Sequence, residues 1–185
     1  GVTRTCTTYN TNSVLPAIGP GTTTTTLITG SAPQAAVAGA GNTGYGIGVM
    51  VSMTTSSNNT GVGASALAAL TTGAQNTAVG SGALAANTTG TNAVAIGYNA
   101  LTLANGTTEN TAVGSRALAA NTSGNSNTAV GTSSLLVNVI GARCVAVGAL
   151  ALSSSTASDN TGVGYNALAT TTGSLNTAVG ASCLA

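Results

Sequence analysis

The chain has 185 residues and a formal net charge of +1, from Arg4, Arg116 and Arg143 against Glu109 and Asp159, and it contains no His, Lys, Trp or Phe. So few charges build no basic face for phosphates or for an anionic membrane surface. They also place no general base beside a nucleophile and no carboxylate beside another, which argues against an enzyme.

Other function classes fall away on similar grounds. No apolar run approaches the roughly 20 residues that span a bilayer. Cys6, Cys144 and Cys183 form neither a metal-type pair nor an even-numbered disulfide framework. Oxygen-ligand cations want clustered carboxylates, so neither a metal nor a cofactor is expected.

Residues 1–41 hold all three prolines, Pro16, Pro20 and Pro33, together with the run Thr22 to Thr26. Proline interrupts hydrogen-bonded ladders, so this segment reads as an extended arm that docks on a neighbouring subunit or a supporting protein. A degenerate first coil around Asn12 to Gly19 is a weaker reading of the same segment. The chain opens on Gly1 without a signal-peptide pattern, which points to a processed or upstream start.

From residue 42 to 185 one unit repeats. Its glycine anchors are Gly46, Gly63, Gly80, Gly97, Gly114, Gly131, Gly148, Gly164 and Gly180, at intervals of 17 residues and, for the last two steps, 16. Before each anchor stands Tyr45, Val62, Val79, Ile96, Val113, Val130, Val147, Val163 or Val179, a column expected to be buried. Two residues earlier a Thr column, replaced by Val94 and Val145, falls on the same side of a strand and is expected to point at least partly inward. The Gly/Ala column between them suggests close packing against another surface. Four residues after each anchor stands Met50, Leu67, Leu84, Leu101, Leu118, Leu135, Leu152, Leu168 or Leu184, the second core column.

Turn chemistry such as Thr71-Thr72-Gly73 and Thr88-Thr89-Gly90 closes each unit. Each unit is thus expected to hold two short strands, the second centred on the leucine column, and two turns. Neither strand can bury its apolar side alone, so stacked coils with parallel, in-register pairing are the expected solution. The predicted fold is therefore all-β, a parallel β-roll of nine coils, about 4.8 Å per coil and about 40 Å long. A thin roll with a Gly/Ala column also suggests a side-by-side homotrimer. The last coil breaks off at Ala185 without a polar cap, so further chain, a stacked subunit or a closing trimer is expected there.

The stretch Asn92-Ala93-Val94-Ala95-Ile96-Gly97 resembles the head repeat of trimeric autotransporter adhesins, and Cys144-Val145-Ala146-Val147-Gly148 is close to it. The Asn-Thr-Ala-Val-Gly-x-x-Ala-Leu form is similar to repeats in fibre and surface proteins of phages and large viruses. The resemblance implies a left-handed roll, three chains side by side, in a virion-surface or extracellular fibre. The units here are longer than the adhesin repeat, and these 185 residues contain no neck or heptad-stalk pattern.

Several residues carry a possible ligand role. The Asn column (Asn42, Asn59, Asn76, Asn110, Asn127, Asn160, Asn176) suits a sugar-binding ladder, yet stacked Asn side chains that bond from coil to coil are the stronger reading. Cys144 and Cys183 read as small apolar fillers. Glu109, Arg143 and Asp159 share a solvated column, and Arg143 and Asp159 stand on consecutive coils where they can pair. The sequons at Asn58, Asn87, Asn105 and Asn121 follow from an Asn/Thr-rich composition. Gly-x-Gly pairs such as Gly44 and Gly46 precede no helix and so cradle no phosphate.

In the irregular coil Leu135 to Ile140, the side chains Leu136, Val137, Val139 and Ile140 form a candidate partner patch, although a thicker piece of core or of the trimer interface is the preferred reading. The expected function is a rigid, non-enzymatic rod on a particle surface: a viral fibre or capsid-decorating protein anchored by residues 1–41 to a capsid, tail or surface protein. A bacterial surface adhesin or head-to-tail filament is second. Ice binding comes last, because Val94 and Val145 break the Thr column.

Overall fold

The computed structural model describes residues 26–28 and 39–184. They form an all-β parallel solenoid, with no helix among the described residues. Its strands are β1 (Thr26–Ile28), β2 (Thr43–Tyr45), β3 (Thr60–Val62), β4 (Thr77–Val79), β5 (Val94–Ile96), β6 (Thr111–Val113), β7 (Thr128–Val130), β8 (Val145–Val147), β9 (Thr161–Val163) and β10 (Thr177–Val179). All ten lie in one sheet in chain order. Every pairing is parallel and joins equivalent columns, as in Val94 with Thr111, Ala95 with Ala112 and Ile96 with Val113.

The sheet extends into the segment read as an arm, since Thr26 pairs with Thr43 at the same 17-residue step as the later coils. The suggested coil at 12–19 lies outside the described residues. At the other end the two shorter coils keep register, with Val145 opposite Thr161 and Thr161 opposite Thr177. The missing residue comes out of the turn. Asn127 Nδ2 donates to the carbonyl 14 residues on at Gly141, whereas Asn160 Nδ2 reaches Gly173 after 13.

Inside and outside are reversed along the strands relative to the sequence reading. The Gly/Ala column faces the interior, with Ala78, Ala95, Ala112, Ala129 and Ala146 fully buried. The column read as buried, Val62, Val79, Ile96, Val113, Val130, Val147, Val163 and Val179, faces outward and is partly to largely exposed in the chain. The Thr column faces outward with it.

The reason is the width of the coil. The leucine column, fully buried at Leu67, Leu84, Leu101, Leu118, Leu135 and Leu152, reaches across from the opposite wall and fills the interior. A Cβ added at Gly61 would already stand 2.8 Å from Met50 Cε and 2.8 Å from Val49 Cγ2. Only hydrogen or methyl fits on the strand side, and the β-branched residues that suit a pleated surface are left for the outer face.

Each coil holds one strand, and the leucine segment expected to be a second strand is a turn instead, because the backbone turns there by placing side chains in the left-handed region, which a strand does not use. The leucine column does so throughout, for example Leu84 at φ 51° and Leu118 at φ 51°, and so does the corner column from Asn58 at φ 58° to Leu175 at φ 64°. Each such residue costs about 1–2 kcal/mol unless it is Gly, Asn or Asp. The ladder holds it in place: Leu84 N donates to Ala100 O at 3.0 Å and Leu101 N to Ala117 O at 3.0 Å. The anchors need glycine for two reasons together. Gly97 lies at φ +137°, and an added Cβ would come within 2.4 Å of the Gly114 carbonyl oxygen.

Candidate functional site

The outer face of the sheet is the most regular surface of the molecule. It consists of the Thr/Val column and the Val column, two side chains per coil, and it carries no charge. Tyr45 is 62% exposed, Ile96 40% and Val179 71%. Among the described residues this is an unbroken apolar and hydroxyl stripe along nine consecutive strands.

The interior holds the Asn column. Asn59 and Asn76 each donate from backbone N and from Nδ2 to the side-chain oxygen of the preceding Asn, at 2.9–3.0 Å. The same Nδ2 groups donate to the carbonyls of Gly73 and Gly90. From Asn42 to Asn160 these side chains are at most 1% exposed, so they serve the ladder and present nothing to a sugar. Ala93 and Cys144 interrupt the column yet still donate backbone N–H to Asn76 and Asn127. Cys144 does more than fill space: its thiol donates to Ala157 O at 3.2 Å, and burial pushes it above the ordinary thiol range. Cys144 and Cys183 are free thiols.

A second internal device has a plain sequence signal, Asn-x-x-Gly, that the column reading passed over. Asn87, Asn121 and Asn138 are buried, and each clamps the glycine three residues on. Oδ1 accepts from the glycine N–H at 2.8–2.9 Å, while Nδ2 donates to its carbonyl. Of the four sequons, Asn87 and Asn121 are thereby buried, while Asn58 and Asn105 are exposed.

At the corner, Arg143 and Asp159 form a two-point ion pair, Nε to Oδ1 at 2.6 Å and Nη2 to Oδ2 at 2.8 Å. The hydrogen bond from Arg143, with its charge, holds the Asp159 carboxyl below its ordinary value. Glu109 accepts from Ser126 Oγ at 3.2 Å in the same column. In the irregular coil Leu135 is core, but Val137, Val139 and Ile140 face outward at 39%, 40% and 65% exposure, so the extra bulk does not thicken the interior. Leu136 and Val137 instead line a shallow groove of about 380 Å³ with Leu103, Thr102 and Arg116.

Among the described residues no three His, Cys, Asp or Glu side chains come together, and no helix is long and apolar enough to cross a membrane. Compared with known proteins, the chain matches no family model, no curated protein and no solved structure.

Proposed function

We propose that this chain is a non-enzymatic structural protein, three copies of which stand side by side as a rod on the surface of a particle. The observation that carries the reading is the outward Thr/Val stripe. Apolar side chains such as Ile96 and Val147 repeat on it coil after coil without a charge to keep it wet. Contiguous exposed apolar surface of this kind marks an interface. A stripe that repeats once per coil matches the period of identical stripes on parallel copies, and a closed three-fold arrangement buries all of them. The remaining surface, rich in Asn, Thr, Ser and Gly, carries few charges to attract other macromolecules.

Within that reading the roll is left-handed, and residues 1–41 attach the rod to a capsid, tail or surface protein. A viral fibre or capsid-decorating protein is the first assignment, and a bacterial surface adhesin or extracellular filament the alternative. Light scattering on the purified chain is expected to give three times the chain mass at micromolar concentration. Ile96→Arg is expected to give monomers with an unchanged circular dichroism spectrum. A wild-type monomer at that concentration overturns the trimer. Antibody labelling of purified virions against cell-surface fractions separates the two assignments.

One observation favours a second reading. The Thr column, expected inward, lies on the outside at sheet spacing, the disposition an ice-binding face uses, although Val94 and Val145 break its hydroxyl row. Thermal hysteresis of the concentrated protein is the test, and its absence removes this reading.

A further inference from the structure

Asn105 and Gly106 form the chain's single Asn-Gly sequence, and they sit in an exposed turn where the coil-to-coil bonding lapses. Two coils earlier and one coil later, both residues at these positions donate backbone N–H to the next coil, whereas Thr88 and Thr89 in the coil between make no such backbone bond. Thr71 and Thr72 donate to Thr88 O at 2.9 and 3.1 Å, and Thr122 and Ser123 to Val139 O at 2.9 and 3.2 Å. The amides of Asn105 and Gly106 make no corresponding bond to Thr122. The side-chain clamp is missing as well. Ala104 stands where Asn87 and Asn121 grip Gly90 and Gly124, and the hydroxyl of Thr107, in the glycine position, is buried without a partner. Meanwhile the Asn105 side-chain oxygen is engaged from the preceding coil: Thr88 Oγ1 donates to it, and Thr88 N approaches at 3.4 Å.

We propose that Asn105 is a site of spontaneous deamidation in the folded protein, assisted by Thr88. The Gly106 amide nitrogen loses its proton to solvent and forms a bond to Asn105 Cγ. Nδ2 takes a proton back from solvent, the Cγ–Nδ2 bond breaks as the oxyanion collapses, and the nitrogen leaves as ammonia. Water then adds to one of the two carbonyls of the resulting cyclic imide and opens it to an aspartyl or isoaspartyl residue. No oxidant or reductant enters. Three features of the turn favour the ring closure. The attacking amide has no competing acceptor, and glycine leaves it unhindered. The Thr88 donors lie on the oxygen that becomes negative as the tetrahedral centre forms, which is where a donor lowers such a barrier. The product takes the formal charge from +1 to 0 and puts a carboxylate on a surface that has almost none, so the conversion leaves a covalent record of the protein's age.

The test is peptide mapping of the full-length chain after incubation in mildly alkaline buffer, with and without urea, using fragmentation that separates aspartyl from isoaspartyl. In the folded protein Asn105 is expected to gain one mass unit many-fold faster than the exposed Asn58, Asn92 and Asn125. Thr88→Val is expected to slow this severalfold in the folded chain and to leave the rate in urea unchanged. The pair Ala104→Asn with Thr107→Gly, which rebuilds the clamp, is a second variant expected to protect Asn105. Conversion in urea but not in the folded chain overturns the proposal. So does an equal folded-state rate in wild type and Thr88→Val, or, should that variant not fold, no protection by the rebuilt clamp.

Discussion

Asn121 holds Gly124 from both sides, its Oδ1 accepting from the Gly124 amide at 2.9 Å and its Nδ2 donating to the Gly124 carbonyl at 2.8 Å. One coil earlier the two positions have changed together. Where a clamp is present, an added Cβ on the glycine would meet the Asn oxygen, at 2.5 Å for Gly90 and 2.6 Å for Gly124. A side chain at 107 therefore requires a short one at 104, and Thr107 comes with Ala104.

This pairing predicts opposite signs for single and double substitutions. Ala104→Asn alone collides with Thr107 and is destabilising. With Thr107→Gly it regains two buried hydrogen bonds and stabilises by about 1–2 kcal/mol. Denaturant unfolding of the four-member cycle measures the coupling, and additive effects would contradict the account.

The anchor glycines separate two costs. At Gly180 a Cβ finds nothing nearer than 3.8 Å, so Gly180→Ala carries only the backbone strain of φ +133°, about 1–3 kcal/mol. Gly97→Ala adds a Cβ 2.4 Å from a carbonyl oxygen of the next coil and is expected to cost about 2 kcal/mol more through overpacking. Equal losses at the two sites would mean that stacking is not what demands glycine.

Two leucines in the same backbone region are expected to respond in opposite directions. Leu175 is 82% exposed at φ 64°, so it bears the strain and buries little. Leu175→Asn is expected to raise stability by about 1 kcal/mol, because Asn visits this conformation readily. Leu84 is fully buried, and Leu84→Ala is expected to cost about 3 kcal/mol through lost burial and the cavity left behind. Midpoints of urea unfolding at constant slope decide both.

The Arg143–Asp159 pair sets a pH dependence with a definite sign. Its contribution is present above the ordinary Asp value of 3.8 and is lost as pH falls through the lower folded value. Carbon-detected titration is expected to place the Asp159 midpoint below 3.8. Arg143→Gln is expected to return it toward that value, and stability near neutral pH is expected to hardly move, since the pair is largely exposed.

The repeat carried most of the fold in plain view. Its glycine spacing located every strand from β2 to β10, and the shared column of Arg143 and Asp159 located their ion pair. The facing of the side chains was hidden, because hydrophobicity alone sends Val inward and leaves Ala undecided. What decides it is the distance across a coil already filled by Leu84 and its equivalents, a quantity fixed only once the turns close. The buried clamps at Asn87, Asn121 and Asn138 were written as Asn-x-x-Gly but blended into a composition full of Asn and Gly.

Each coil offers nearly the same hydrogen-bonding partners as the next, so a folding chain that looped out one repeat and paired β7 with β9 would find almost the full ladder. The departures from the repeat penalise such a slip. Arg143 meets its acid only on the next coil, and Asn160 reaches its turn carbonyl at Gly173 after 13 residues where Asn127 reaches Gly141 after 14. These irregular positions serve as index marks along an otherwise uniform stack, giving the correct alignment an energy gap over its near copies.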